Sequence, residues 1–376
     1  MALALIDHHC HGVVTQDLDS AGFEALLTES PWPAPPGTSM FDSQLGFAVR
    51  RRCAPLLGLE PSADAEAYLR RRSELGAVEA SRRLLTAAQV GAWLVDTGYE
   101  ADRVTGPAEL SALSGTPAHR IVRLEPVAEQ MAVGGIDAAA FATRFAETLE
   151  AAVTGPAKEG SAAGLKTIAA YRFGLDLEPA RPDAFEVTFA AGAWLRAIGE
   201  SRTARLTDPV LLRHIIWAGV DLGLPIQFHT GFGDPDVRLY SADPSLLHDF
   251  LAATRGSGAS IMLLHCYPYH RQAGYLANVF PHVYMDVGEG LNHVGARSAA
   301  VLAEALELTP FHKMLYSSDA FGLAELHYLG ATGFRRDLRQ VLNGFVASGA
   351  WAASDAERAA FLIGSANARR VYNLDG

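Results

Sequence analysis

The side chains best suited to chemistry stand where the strand-like runs of this sequence end. Each is a histidine, lysine or aspartate within or just after an apolar stretch: His9, His11, Lys166, His229, His265 and Asp319. In Ala-Leu-Ile-Asp-His-His-Cys-His-Gly (4–12), strand alternation puts His9 and His11 on one face, together with Leu5 and Asp7. Neutral imidazoles combined with a carboxylate suit Zn²⁺ or a similar divalent ion, so these residues predict a metal site.

Eight apolar, β-rich runs alternate with longer stretches rich in Ala, Leu and Arg. The runs are Ala2–His9, Gly91–Asp96, Arg120–Leu124, Gly164–Ala170, Pro225–His229, Ile261–His265, Val283–Val287 and Met314–Ser318. Buried strands that alternate with helices predict an α/β fold, a (β/α)8 barrel of the TIM type. The C-terminal ends of the strands form the catalytic face of such a barrel, and the candidate ligands stand at those ends.

The chain between the first two strands is too long for one strand–helix unit. About eighty residues separate them, roughly twice what one unit needs. We interpret 13–88 as a mostly helical insertion within a single barrel domain of 1–376. Because β1–α1 connections lie on the catalytic face, the insertion is either a lid or wall over the site or a dimerisation element of a homo-oligomer.

Composition and charge exclude several classes of protein. With 49% hydrophobic and 19% charged residues, the chain can form a large core. The 31 basic and 42 acidic residues give a net charge of −11, which argues against nucleic acid or an anionic membrane as a partner. The apolar runs end well before the ~20 residues of a transmembrane helix. Three widely spaced cysteines form no disulfide framework, and we expect a cytoplasmic protein with a small-molecule substrate.

Further polar residues follow the later strands. Those that could contact a substrate are Tyr171, Arg172, Arg238, Tyr267 and His270. Guanidinium groups bind carboxylates in bidentate geometry, so this set predicts a substrate with a free carboxylate. Alternatively, the two arginines brace loops by pairing with Asp176, Asp234 or Asp236. Asp286 and Glu289 follow the seventh strand, where they either bind a substrate amine or cap the next helix.

Three longer motifs carry a resemblance to a known family. They are Gly-Leu-Lys-Thr-Ile-Ala-Ala-Tyr-Arg (164–172), Phe-His-Thr-Gly-Phe-Gly-Asp-Pro-Asp-Val-Arg (228–238) and Leu-His-Cys-Tyr-Pro-Tyr-His-Arg-Gln-Ala-Gly-Tyr-Leu-Ala (264–277). With the pair His9 and His11, they make the chain resemble the amidohydrolase superfamily of metal-dependent barrels, from Ala2 to about Leu329. The chain is most similar to the branch called amidohydrolase family 2, near the amidohydrolase half of plant and fungal proteins fused to glutamine synthetase.

The resemblance implies a role for each histidine and for the aspartate. His9 and His11 would hold one metal ion with Asp319 as a further ligand, and Asp319 would also carry a proton from activated water to the leaving group. His229 and His265 would hold a second ion. In a one-metal centre, one of these two histidines would be a ligand and the other would polarise the substrate.

The resemblance also gives Lys166 two alternative roles. In one, the lysine reacts with CO₂ to form a carbamate that bridges two metal ions, which requires a depressed amine pKa. In the other, it stays an ammonium and anchors a substrate carboxylate. The centre would therefore hold one or two divalent ions, with Zn²⁺ expected and Mn²⁺ as the alternative.

The function implied by the resemblance is hydrolysis of the C–N bond of a small carboxylate-bearing amide, such as a γ-glutamyl or N-acyl amino acid conjugate. Water activated by the metal would attack the carbonyl, with Asp319 as proton shuttle and His265 assisting. Two alternatives come from other classes. One is a one-metal, non-oxidative decarboxylase or C–C hydrolase of an aromatic or keto acid, and the other is a barrel that binds metal and ligand without catalysis.

Overall fold

The computed structural model describes residues 3–156 and 160–374, and its centre is one sheet of seven parallel strands. The strands are β1 (Leu5–Cys10), β2 (Val90–Asp96), β3 (Ala118–Arg123), β4 (Gly164–Thr167), β5 (Ile226–Thr230), β6 (Ile261–His265) and β7 (Val283–Met285). Each strand pairs with the next one along the chain. Seven of the eight predicted runs therefore form strands in the predicted order, whereas the predicted first residue, Ala2, lies outside the described residues.

The eighth predicted strand, Met314–Ser318, closes the barrel without forming a regular strand. On one side it bridges to Met285 of β7, and on the other Tyr316 accepts a hydrogen bond from the His8 N–H of β1 at 3.1 Å. The ladder is interrupted at Ser318, which donates its N–H to a side chain, the Asp7 carboxylate, before Asp319 donates its N–H to the His9 carbonyl. The α/β barrel of the TIM type is confirmed, with an irregular eighth element.

Helices cover the sheet and fill the connections. The described α-helices are α1 (Ser20–Ala25), α2 (Gln44–Ala48), α3 (Ala65–Leu75), α4 (Ala77–Ala88), α5 (Pro107–Ser114), α6 (Leu124–Val133), α7 (Phe141–Thr154), α8 (Ala169–Arg172), α9 (Ala184–Ser201), α10 (Pro209–Asp221), α11 (His248–Thr254), α12 (His270–Val279), α13 (Gly288–Val294), α14 (Ser298–Ala305), α15 (Ala324–Ala347), α16 (Ala353–Phe361) and α17 (Asn367–Tyr372). None of these helices combines the length and apolar character that crossing a bilayer requires.

The chain between β1 and β2 contains four of these helices, α1 to α4. α4 packs along α15 and leads directly into β2, which is the place of a regular barrel helix. The segment that follows α1 behaves differently, because side chains between Leu26 and Trp32 line the cavity at the C-terminal ends of the strands. Part of the predicted 13–88 insertion thus forms a wall of that cavity.

The opposite end of the barrel is filled by apolar side chains. They form a buried cluster of Ile6, Ala92, Leu94, Ile121, Met262, Leu264 and Leu315, joined by Ala368 and Tyr372 of α17. Each large apolar side chain in such a cluster contributes about 1.5–3 kcal/mol by leaving water. Because α17 packs against this end, the cavity at the strand C-termini is the open end of the barrel.

β1 does not keep the strict alternation predicted for it. Its pairing with β2 shifts register between Asp7 and Cys10. Leu5 packs in the large cluster that the sheet shares with its helices, whereas Ile6 belongs to the barrel interior. The register shift lets His9 point into the barrel although Leu5, four residues earlier, faces the helices.

Replacing Asp7 by asparagine is expected to stabilise the protein above pH 7. Asp7 is fully buried, its Oδ1 accepts the Ser318 N–H at 3.0 Å, and burial raises its pKa to about 8. A carboxyl pKa that is raised by folding favours the folded state at low pH, and this contribution is lost as the pH rises through 8. Between pH 7 and pH 9 the unchanged protein should lose about 1.4 kcal/mol of stability that Asp7→Asn keeps.

Urea unfolding midpoints at the two pH values measure this difference. Asp249→Asn, at an exposed position on α11, is the control and should follow the unchanged protein. Equal losses in Asp7→Asn and in the unchanged protein would mean that Asp7 does not hold its proton in the folded state.

Candidate metal centre

The cavity at the C-terminal ends of the strands brings the six predicted metal ligands together. It has a volume of about 770 Å³. The predicted ligands among its lining residues are His9, His11, Lys166, His229, His265 and Asp319. Five of them are buried and Asp319 is largely buried. Residues that are up to 310 positions apart in the sequence thus share one site.

Asp319 lies between three of the histidines. Its Oδ1 is 2.9 Å from Nε2 of His9 and 3.6 Å from Nε2 of His11, and its Oδ2 is 3.5 Å from Nδ1 of His265. The Asp319 backbone has a φ of 48° and donates its N–H to the His9 carbonyl at 3.1 Å. Such left-handed backbone in a residue other than glycine costs about 1 kcal/mol or more, and it persists where the surroundings fix a side chain for function.

Buried acceptors fix the proton positions on His9 and His11. The side-chain NH₂ of Gln227 donates to two other buried oxygens at 2.6 and 2.9 Å, so its Oε1 faces Nδ1 of His9 at 2.8 Å. Nδ1 of His9 must therefore carry the proton. Nδ1 of His11 likewise faces a backbone carbonyl, that of Asp96, at 3.2 Å. Both Nε2 lone pairs consequently face Asp319, which is the orientation that metal-binding histidines adopt.

Burial keeps the four imidazoles of the site neutral. It lowers the pKa of His9, His229 and His265 well below the usual value and that of His11 to about 4. Within the described part of the chain, Nε2 of His229, both ring nitrogens of His265 and Oδ1 of Asp319 have no hydrogen-bond partner. Buried polar atoms are normally paired, and neutral imidazoles around a carboxylate are ligands for divalent metal ions. The side chains present therefore fit such an ion.

Lys166 lies next to the same centre. Its side chain is buried, and Nζ is 3.4 Å from Nε2 of His9. Burial lowers the pKa of this amine to about 8, although the nearby Asp319 and Asp96 favour its charged form. Near physiological pH, the Lys166 amine therefore occurs both in the neutral form that carbamate formation requires and in the charged ammonium form.

Two of the five predicted substrate contacts line the cavity. The ring of Tyr171 lies against that of His229, with 4.3 Å between centroids, and Arg172 pairs with Glu129 at 3.2 Å rather than with the aspartates considered from the sequence. Gly233 allows this arrangement, because a Cβ at that position would lie 2.1 Å from the Tyr171 hydroxyl.

The other three, Arg238, Tyr267 and His270, are not among the described residues that line the cavity. His270 begins α12 and directs its Nε2 to Glu304 of α14 at 2.8 Å, and the Tyr267 ring stacks on the His270 ring. Arg238 is exposed in the loop after β5. These three side chains therefore lie outside the described lining of the cavity, and their contacts with a substrate stay a prediction.

Two aspartates support the candidate ligands: sequence reasoning missed Asp96, and it considered Asp286 only for a substrate amine or a helix cap. Asp96, at the end of β2, binds Arg123 through its carboxylate at 2.6 and 3.0 Å. The carboxylate of Asp286, just after β7, accepts hydrogen bonds from Nε2 of His8 at 2.9 Å and from the backbone N–H of His265 at 3.0 Å. It also caps α13 by accepting the N–H of Gly288, the first residue of that helix, at 2.8 Å. Both end strands as the ligands do, and that position was the available signal for them. Of the two roles considered for Asp286, the structure shows the helix cap.

Replacing Gln227 by leucine is expected to weaken metal binding about 10- to 100-fold, as the loss of such supporting hydrogen bonds usually does. The variant removes the acceptor that holds the His9 proton on Nδ1, so the ring can turn or change tautomer. Competition with a fluorescent zinc chelator measures the affinity. Tyr372→Phe is the matched control, because it removes another partner of the same amide and leaves Oε1 of Gln227 facing His9. Equal affinities of Gln227→Leu and the unchanged protein would contradict the role of Gln227.

Known proteins resemble this chain over almost its whole length. Protein fluG of Emericella nidulans is 27% identical over 408 aligned residues, which cover 99% of this chain and 46% of fluG, so the chain spans about half the length of this relative. A crystal structure from Lactobacillus casei, provisionally described as a metal-dependent hydrolase, is 27% identical with a TM-score of 0.85, covering 99% of this chain and 96% of that one.

A more distant structure shares the fold alone. Uronate isomerase of Thermotoga maritima is 13% identical with a TM-score of 0.63, covering 98% of this chain and 94% of that one. The family model described as amidohydrolase matches residues 6–374, which include all six predicted ligands and the strands that carry them. On this match the chain belongs to the amidohydrolase family.

Proposed function

We propose that this protein is a metal-dependent hydrolase that cleaves the C–N bond of a small amide with a free carboxylate, such as a γ-glutamyl or N-acyl amino acid conjugate. The observation that carries the proposal is the position of Asp319, whose carboxylate lies within 3.6 Å of three neutral imidazoles at the base of a cavity. A barrel that only binds a ligand has no use for a proton acceptor at this position.

The metal centre would be held by His9, His11 and Asp319. A divalent ion there, which we propose to be Zn²⁺ with Mn²⁺ as the alternative, supplies water with a pKa near 7 and polarises the substrate carbonyl. Asp319 accepts the proton of the attacking water and passes it to the departing nitrogen. Burial raises the pKa of Asp319 to about 7 in the metal-free site, whereas a bound cation opposes this shift and favours the carboxylate form that accepts the proton.

His265 and His229 would assist at the substrate carbonyl. Their rings lie 4.7 Å apart between centroids, and burial keeps both neutral. A neutral imidazole still carries one N–H, which can donate to the oxygen that becomes negative as the carbonyl is attacked. If a second ion is present, the unpartnered ring nitrogens of these two histidines are its candidate ligands.

Basic side chains support a carboxylate-bearing substrate. Four arginines line the cavity: Arg103, Arg123, Arg172 and Arg205. Arg123 is committed to the buried Asp96, whereas Arg172 pairs with Glu129 at 3.2 Å, slightly longer than a close ion pair. We therefore propose Arg172, next to Tyr171, as the group that binds the substrate carboxylate.

The test is amine release from a panel of γ-glutamyl and N-acyl amino acid amides, using protein loaded with Zn²⁺ or with Mn²⁺. We expect equal amounts of free amine and carboxylic acid from at least one member, and release about 1,000-fold slower by Asp319→Asn. Release of CO₂ from aromatic or keto acids without amine release would favour the decarboxylase instead. Tight binding of an amide without turnover by either metal form would favour the non-catalytic barrel.

A further inference from the structure

A second group of possible metal ligands lies in the same cavity, away from His9 and His11. It consists of Glu29 from the segment after α1 and of Glu289 and His293 from α13. One ligand atom from each residue lies within 4.8 Å of the other two. Nε2 of His293 is 3.5 Å from a carboxylate oxygen of Glu29.

Glu289 distinguishes this group from an ordinary surface ion pair. Only 6% of the residue is exposed, and its Oε2 has no hydrogen-bond partner among the described residues. This oxygen lies 3.8 Å from Nδ1 of the neutral His265, which is too far for a hydrogen bond. A buried carboxylate without a partner is costly, because burial removes water that would otherwise stabilise its charge.

The surroundings make the group more negative. Asp234 and Asp319 line the cavity together with Glu29 and Glu289, so four carboxyl groups share this part of the cavity. The arginines that line the cavity form ion pairs with other acidic residues. The pairs are Arg103–Glu100, Arg123–Asp96, Arg172–Glu129 and Arg205–Asp236. A bound cation would relieve the repulsion that these side chains leave uncompensated.

We propose that Glu29, Glu289 and His293 bind a divalent metal ion that is separate from the centre at His9, His11 and Asp319. Two carboxylates and one imidazole suit a harder ion such as Mn²⁺ better than a centre of several histidines does. The ion joins the cavity wall after α1 to α13. Binding of this ion does not rest on the proposed function, in which Arg172 receives the substrate carboxylate.

The experiment uses the full chain with its histidine centre first filled with Zn²⁺, which imidazoles hold more tightly than Mn²⁺. Mn²⁺ is then added, and free Mn²⁺ is measured by electron paramagnetic resonance. We expect one further Mn²⁺ per chain. Glu29→Gln and Glu289→Gln should each weaken its binding at least about 10-fold, which is the lower end for the loss of a group that supports a metal site.

Glu100→Gln is the matched control, because Glu100 lines the same cavity but already pairs with Arg103. Its Mn²⁺ binding should equal that of the unchanged protein. Glu29 is partly exposed, so its substitution tests the site even if the buried Glu289→Gln variant folds poorly. Unchanged Mn²⁺ binding in Glu29→Gln, or no Mn²⁺ bound beyond the zinc centre, would overturn the proposal. If the unchanged protein binds this Mn²⁺ but releases no amine from any amide of the panel, the proposed function would be contradicted and this metal site would stand.

Discussion

Asp319→Asn will lower turnover about 1,000-fold while the chain still binds metal. General acid–base catalysis by a positioned side chain contributes about 10²- to 10⁴-fold. Asparagine keeps the shape of the side chain and one oxygen that can face His9, where Asp319 Oδ1 now lies 2.9 Å from Nε2. An amide, however, cannot accept a proton from water near neutral pH. The measurements are kcat on the best amide of the panel and metal content by plasma mass spectrometry.

Asp236→Asn is the control for Asp319→Asn. Asp236 also lines the cavity, but it pairs with Arg205 at 3.0 Å and lies in the loop after β5. We expect its kcat to stay within a few-fold of that of the unchanged protein. If Asp319→Asn kept turnover within about 10-fold, another group would have to carry the proton. If it lost its metal as well, Asp319 would be needed as a ligand, and its role as proton shuttle would lose its support.

The convergence of the candidate ligands on one site could be predicted because barrel geometry is encoded locally. A histidine or aspartate that directly follows a buried strand must lie at the C-terminal rim, wherever the strand falls in the chain. This is why His229, His265 and Asp319 converge in the structure as they do. The prediction needed only the ends of strands and not their exact extent, so it was unaffected by the irregular segment 314–318 that replaces the eighth strand.

Residues a few positions past the rim could not be placed in this way. Tyr171 and Arg172 line the cavity because the short helix α8 turns back towards it directly after β4. Tyr267 and His270 follow β6 at a similar distance, but α12 directs His270 to Glu304 of α14. The direction of a side chain beyond a strand depends on loop conformation and on the neighbouring helix. Neither is set by the spacing of residues along the chain.

The hydrogen-bond network beneath the ligands was also outside the reach of sequence patterns. Gln227 lies within β5, where an interior polar residue carries no signal of its own. In the structure its amide contacts the His8 carbonyl, the Tyr372 hydroxyl and Nδ1 of His9. Tyr372 comes from α17, near the end of the chain. Such networks arise from contacts that only the folded barrel creates.

Lys166→Ala is expected to lower turnover at least about 100-fold. Lys166 is buried with Nζ 3.4 Å from Nε2 of His9, so it cannot be a solvated lysine that only packs against its neighbours. A carbamate supplies two negative oxygens to a pair of ions, and an ammonium supplies a positive charge for a substrate carboxylate. The alanine variant leaves a gap of about the size of a small amine or acid, and the missing group can be added back in solution.

Restored activity then identifies the state of Lys166. Short-chain carboxylic acids should restore activity and the second metal ion if the lysine is carbamylated, because they replace the lost oxygen ligands. Alkylamines should restore activity without changing the metal content if the lysine is an ammonium. Lys313→Ala is a control for general effects, since Lys313 is also buried but donates to the carbonyls of Ala277 and Phe280 away from the cavity. Turnover of Lys166→Ala within a few-fold of the unchanged protein would exclude both roles and leave His9, His11 and Asp319 to act without it.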